Sequence, residues 1–414
     1  MSELAFGRYR ILFNHHKQII STIEAASLDE RFASMTPFYA EDWHGYVSKL
    51  NLRASCIELM SLLDQHHTKL SHGFYGAGGS GEKINPATLA LWLTLRAKVA
   101  GAEEAYSSLL ALESCSKITS YNVTFIQGLA FDGSIDFGDG IQLSCFQNLP
   151  DGIKGNVNRK LQSRELQFRF PHAFLYQPMP ALLLTSEREE TVFSQVSSYI
   201  ESESSIINFL SLFTEAEAPC IDRRWCILDD ATPMSGIVDN NYTQYLEIRP
   251  PRGIEDFNGV SLTDLLELYT KYLAIPISRR LPIDISIWRR AQAMNSWSDI
   301  NKAIDLGIAL EAVLTSPKTR DQLSLQIRVV GAKLSSTFLA KRSEAYAALK
   351  CIYNIRSEAV HNGRVERTYK IKGKTPQSTH VILDEGLTLL GNCLREIIAR
   401  NGITAEDIDK LLLE

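Results

Sequence analysis

The sequence lacks any long apolar run. No stretch approaches the roughly 18 consecutive apolar residues of a membrane-spanning helix. Residues 1–17 carry Arg8, Arg10, His15, His16 and Lys17 and hold no apolar core of the kind a secretory leader needs. Paired cysteines are missing too. The seven cysteines (Cys56, Cys115, Cys145, Cys220, Cys226, Cys351 and Cys393) are odd in number, widely spaced and without a Cys-x-x-Cys. This excludes a disulfide framework and a zinc ribbon, and reduced thiols in a cytoplasmic protein are expected. Repeats of fixed period, heptad runs and low-complexity tails are absent as well.

What is present is an ordinary globular composition. The 414 residues are 45% hydrophobic and 22% charged, enough to bury a large core and, at about 150 residues per domain, to form two or three domains. The net charge of −5 conceals an uneven distribution. Residues 1–270 hold 21 Lys/Arg against 33 Asp/Glu, residues 271–374 hold 19 against 8, and residues 375–414 hold 3 against 7. The middle stretch is therefore +11 in an acidic protein. Two readings fit: it meets a polyanion, or it packs against the acidic N-terminal part.

Hydrophobic periodicity divides the chain into three parts, an α+β organisation. Residues 1–114 read as mostly helical, with Ile19, Ile20 and Ile23, and later Cys56 to Leu63, at helical spacing. Residues 115–260 are mixed. Tyr121–Ile126 and Ile141–Phe146 alternate as strands, Leu166–Phe170, Ala181–Thr185, Trp225–Leu228 and Tyr242–Ile248 are further strand candidates, and Val192–Phe213 reads as a helix. The first 260 residues together are a candidate sensor or regulatory part. Pro250-Pro251-Arg252-Gly253 breaks the pattern, because two prolines stop both helices and sheet ladders. Residues 261–414 read as all helix, with segments 262–274, 284–297, 299–315, 323–338, 342–361, 384–400 and 404–413; Ser298 caps the third, and Thr404 with Asp407 has capping-box spacing.

Three constellations have bland readings. Gly76-Ala77-Gly78-Gly79-Ser80-Gly81-Glu82-Lys83 departs from a phosphate-binding loop, because Glu82 separates glycine from lysine and Ile84 stands where a hydroxyl is needed; it reads as a surface loop. His15-His16 and His66-His67 are adjacent pairs whose members point about 100° apart on a helix, so neither pair is a same-face metal site. Sequence does not bring His44, Asp64 and His72 together. Asp229-Asp230 after an apolar run reads as a turn, with a magnesium site as the lesser reading.

The segment Tyr353-Asn354-Ile355-Arg356-Ser357-Glu358-Ala359-Val360-His361-Asn362-Gly363 differs in kind. Arg356 and His361 are five residues apart, about 140° from a shared helix face, and converge only near a helix end. Asn362-Gly363 marks such an end, since both tolerate a left-handed backbone. Ser357 and Glu358 lie beside His361, where either can orient its imidazole.

With the upstream run Asp305-Leu306-Gly307-Ile308-Ala309-Leu310-Glu311-Ala312-Val313-Leu314, this segment resembles the Apea-like branch of the HEPN superfamily over about residues 262–400. Asn362 between the histidine and the glycine departs from that pattern. The resemblance implies an all-α HEPN-type bundle that forms a homodimer, with two Arg-x4-His segments meeting in one cleft. It implies a metal-independent endoribonuclease of the toxin or anti-phage type, restrained until a phage-derived or cellular trigger arrives. The alternative it implies is an inactive HEPN module that binds RNA or acts as a scaffold. No metal, cofactor or membrane is expected.

The residues suit RNA cleavage. His361 transfers protons near neutral pH, Arg356 meets phosphate oxygens with a planar, permanently charged fork, and Tyr353 is placed to touch a base or phosphate. Glu311, on another helix, either anchors Arg356 by a salt bridge or is a structural ion-pair partner. Beyond the motif, Arg364, Arg367, Lys370, Lys372 and Lys374 surround Tyr369, a pattern that suits single-stranded RNA through phosphate contacts and stacking, or is a solvated hairpin.

Overall fold

The computed structural model describes residues 3–28, 54–67, 74–77, 80–83, 86–115, 117–162, 173–184, 191–229, 232, 240–242, 251, 253–316, 322–336, 339–371 and 374–413. The expected strand at 166–170, most of the one at 242–248, and His44, His72, Asp230 and Lys372 lie outside these residues. The fold is α+β, as the periodicity indicates.

The N-terminal helices are α1 (Glu3–Ser27), α2 (Ala54–His66), α3 (Pro86–Ala100) and α4 (Ala102–Ser114). They close on a core of Ile19, Ile23, Leu59, Leu63, Leu93 and Leu109. The glycine-rich segment between α2 and α3 forms a hairpin, β1 (Phe74–Ala77) and β2 (Ser80–Lys83), rather than a loop. Its composition favours a turn, but β1 gains a ladder partner far along the chain.

That partner belongs to the main sheet, which contains β3 (Lys117–Gln127), β5 (Ser134–Asp136), β6 (Gln142–Cys145), β7 (Ala173–Leu184), β8 (Cys220–Leu228) and β9 (Asn240–Tyr242). The antiparallel order is β2-β1-β7-β3-β8-β9, with β6 also on β7 and β5 on β6. β7 pairs with β3 along nearly its whole length, while its other edge is shared by β6 and β1. Pro178 and Pro180 fall between those two short partners, where a missing N–H costs no ladder bond on that edge.

Side chains alternate across the sheet as a two-residue period requires. Val123, Phe125, Phe174 and Trp225 pack with Ile153 and Val157 of α5 (Asp151–Gln162). Ile126, Ala173 and Leu175 face the other way, onto α6 (Thr191–Leu210) and the 3-10 turn Ser211–Phe213. Between sheet and α6 the Glu203 carboxylate is fully buried against Arg224 and the hydroxyl of Thr124. Burial raises the Glu203 carboxyl to about 7, with the Arg224 guanidinium opposing the shift.

The C-terminal half holds α7 (Leu262–Ala274), α8 (Ile277–Met294), α9 (Asp299–Leu314), α10 (Leu323–Ser335), α11 (Leu339–Asn362), α12 (Thr379–Ala399) and α13 (Ala405–Leu413). Ser298 accepts from the Asn301 amide, and Thr404 and Asp407 exchange the two bonds of a capping box. α8 starts seven residues before the expected position and contains Pro282. Pro282 is the sixth residue of the helix and cannot donate to the carbonyl four residues back, so the helix runs on through it at the loss of one bond.

The helical half shares its core with the sheet. One buried cluster runs from Ile126 and Leu175 through Phe209 and Leu212 to Leu306, Ile352 and Leu390, across residue 260. A two-residue parallel pairing joins β4 (Leu129–Ala130) to β10 (Glu255–Asp256). Arg290 is buried inside this seam and donates to the carbonyls of Ser211, Thr214 and Leu387. Burial lowers its guanidinium to about 9, with Arg395 adding to the shift and Glu255 opposing it.

Candidate functional site

The arginine and histidine of the motif lie on α11, whose last turn holds His361 and Asn362. Gly363 follows with φ +63, and its amide donates to the Ala359 carbonyl, so glycine serves as the left-handed helix stop. Ile352, Ile355 and Ala359 bury the inner face of the helix. This orientation turns Arg356 towards α9.

Gly307 and Glu311, one turn apart on α9, receive Arg356. A Cβ at Gly307 would collide with Cγ of Arg356 and come within 3.2 Å of its Cβ and Cδ. The absent side chain is the groove in which the arginine stem lies. One turn on, Nη2 of Arg356 stands 2.9 Å from Oε1 of Glu311 and donates to Oε2 at 3.1 Å. The Tyr353 ring lies under the guanidinium at 5.9 Å. Glu311 is thus the ion-pair partner of Arg356, which both readings of it require. Both side chains remain about one-fifth exposed, and Nε of Arg356 has no hydrogen-bond partner.

His361 is exposed and makes no hydrogen bond or ion pair among the described residues. The expected orienting role of Ser357 or Glu358 is not what the geometry gives, because the Glu358 carboxylate accepts from the Tyr369 hydroxyl at 2.5 Å. That hydroxyl also accepts from the Glu366 amide at 3.0 Å. Burial, reinforced by Glu358, raises the Tyr369 phenol to about 12, which keeps its donated proton in place.

The basic segment after the helix is a hairpin of β11 (Thr368–Tyr369) and β12 (Gln377–Ser378). Tyr369 packs against the core and Ile371 is buried, so the ring expected to stack on a base instead fastens the hairpin to the bundle. Arg364, Arg367 and Lys370 remain exposed, while Lys374 pairs with Glu385 at 3.1 Å.

The pairings fix the helix directions. α9 and α12 run the same way, because Lys302 meets Asp384 at 2.7 Å and Asp299 meets His380 at 3.4 Å. α11 runs opposite to both, since a helical side chain leans towards its N-terminus and Arg356 crosses from Gly307 to Glu311. His361 and His380 therefore share one end of the bundle. The sequence reading missed His380, which stands between Asp299 and Asp384 (3.2 Å), and the role of Gly307. A glycine four residues before a glutamate was visible, but its partner depends on tertiary packing.

The remaining candidates resolve simply. Asp229 sets its carboxylate against Gly152 at the start of α5, where a Cβ would strike it. The two histidine pairs meet across α1 and α2. His15 and His66 stack at 4.2 Å, while His67 bonds Glu113 at 3.0 Å and the Tyr106 hydroxyl at 3.1 Å. Among the described residues no group of three or more His, Cys, Asp or Glu side chains is placed to hold a metal ion, and no helix is long and apolar enough to cross a membrane. No protein-family model matches the chain, and neither a curated protein nor a solved structure matches it.

Proposed function

We propose that the protein is a HEPN-type endoribonuclease that cuts RNA without a metal, using Arg356 and His361 from two copies of the chain. The observation that carries this reading is the contrast between the two residues. Arg356 is seated by Gly307, Glu311 and Tyr353, whereas His361 is presented on the last helical turn with no competing partner among the described residues. They lie about 7.5 Å apart along the axis and about 140° apart around it, so one copy does not focus both on one phosphate. Two copies meeting at this end of the bundle supply two histidines, one as base and one as acid, and two guanidiniums for the phosphorane.

In this mechanism His361 takes the proton of the 2′-hydroxyl, whose oxygen attacks the adjacent phosphorus. The partner's His361 protonates the departing 5′-oxygen. Arg356 neutralises charge that grows on the non-bridging oxygens, and Glu311 and Tyr353 hold the fork before substrate arrives. Arg364, Arg367 and Lys370 guide the strand in. The resemblance supports a toxin or anti-phage role, with the acidic N-terminal part restraining the basic half until a trigger arrives.

One observation favours a second reading. An arginine already held by a glutamate also suits an inactive bundle that binds RNA or acts as a scaffold. Incubation of the purified chain with total RNA in EDTA separates the possibilities, with light scattering for mass. Cleavage by a dimer is expected; no cleavage with or without magnesium favours the second reading, and cleavage with magnesium alone moves attention to the acidic residues.

A further inference from the structure

At the opposite end of α11 the bundle opens into a cleft of about 770 Å³ between α7, α10, α11 and α12. Its Lys341 lies some 22 Å along α11 from Arg356, at 1.5 Å per residue. Its size falls within the usual range of small-ligand pockets.

Five cations line it: Lys333, Lys341, Arg342, Arg395 and Arg400. Three of them spend hydrogen bonds on neutral acceptors. Lys333 donates to the Leu411 carbonyl, Arg342 to the Ser336 carbonyl through Nε alone, and Arg395 to the Leu212 carbonyl and the Asn392 amide oxygen. Burial lowers the Arg395 guanidinium, with Glu215 opposing the shift. Of the acids in the wall, Glu385 is answered by Lys374 and Glu396 by Arg400. Asp264 and Glu344 remain to accept hydrogen bonds from a ligand. Phe213, Leu268, Leu334 and Leu389 provide an apolar surface.

We propose that this cleft binds a small phosphorylated ligand, a nucleotide by its chemistry. Lys333, Arg342 and Arg395, whose hydrogen bonds go to neutral acceptors, take the phosphates, the apolar side chains take the flat base, and the Asp264 and Glu344 carboxylates take donors from ribose or base. A nucleotide matches this mixture better than a polyanion does, because a polyanion would meet Asp264 and Glu344 as well. The inference goes beyond the nuclease reading and does not depend on it.

The test is calorimetric titration of the full chain, without RNA, using ADP, GDP, CDP and UDP, with adenosine and inorganic phosphate as controls. At least one diphosphate should bind, adenosine should not, and phosphate should compete weakly. The double variant Lys341→Glu/Arg342→Gln, on the first turns of α11, should weaken binding at least tenfold, as expected for losing charge-assisted bonds. Should that variant fold poorly, hydrogen exchange on the unaltered chain replaces it, with ligand-dependent protection expected over residues 333–345. Silence from all four nucleotides at millimolar concentration, binding unchanged by the double variant, or protection elsewhere would overturn the proposal.

Discussion

Two arginine–glutamate pairs in this molecule have the same chemistry and different circumstances. Arg224 and Glu203 lie between sheet and α6 with side chains 7% and 0% exposed. Arg356 and Glu311 lie between α11 and α9 with 21% and 24% exposed. The first pair is closed off from water, and a desolvated pair of that kind holds parts of a core in register while contributing little net stability of its own. The second leaves its guanidinium within reach of solvent, on the helix that also carries the exposed His361. An arginine is therefore assigned a role by what surrounds it rather than by its partner. Arg290 makes the same point from the other side, since it is fully buried and donates to neutral acceptors, three carbonyls and the Met294 sulfur.

This contrast predicts opposite responses to substitution. The largest effect is expected at the exposed site. Arg356→Ala and His361→Ala should each lower RNA cleavage by roughly 10²–10⁴, the range for a positioned proton-transfer group, with unfolding midpoints close to that of the parent. Full activity in either folded variant would place the active site elsewhere.

The inner pair should reverse that pattern. Glu203→Ala removes the carboxylate that Arg224 faces in the core, and breaking a buried pair costs about 3–5 kcal/mol, so urea unfolding should shift strongly whatever happens to cleavage. A smaller effect is expected at the groove that seats the arginine. Gly307→Ala should displace the Arg356 stem and destabilise the chain by about 1–3 kcal/mol, as overpacking does, with cleavage falling more than stability accounts for. An unchanged melting curve and unchanged cleavage would mean that the seat is not tight.

The inner pair also predicts a pH dependence. Folding raises the Glu203 carboxyl from 4.5 to about 7, so the folded chain retains a proton that the unfolded chain has released. Stability from this group should fall as pH rises from about 4.5 to 7 and level off above. Comparing Glu203→Gln with the parent across that window isolates it, and identical slopes would remove Glu203 as the cause.

Much of the helical half was legible. Ser298, Thr404 with Asp407, and Asn362-Gly363 announce helix ends by local chemistry, and the structure uses each of them. Elements that depend on distant partners were not legible. The glycine-rich segment becomes a hairpin because β7, about 100 residues on, pairs with it, and β4 and β10 meet across 125 residues. Pro282 hid the first turns of α8. At the candidate site, the motif was visible as spacing, while Gly307 as a groove, Glu311 as a partner and Tyr369 as a fastening all required tertiary contacts.

The central claim is that the exposed histidine, not a metal-activated water, starts the reaction. End-group analysis of RNA products made in EDTA tests it most directly. Attack by the 2′-hydroxyl predicts fragments ending in a 2′,3′-cyclic phosphate and beginning with a 5′-hydroxyl, no cut at a 2′-deoxy position, and slower cleavage as salt rises. Products with a 5′-phosphate and a 3′-hydroxyl would contradict the account, because they require water as the attacking group.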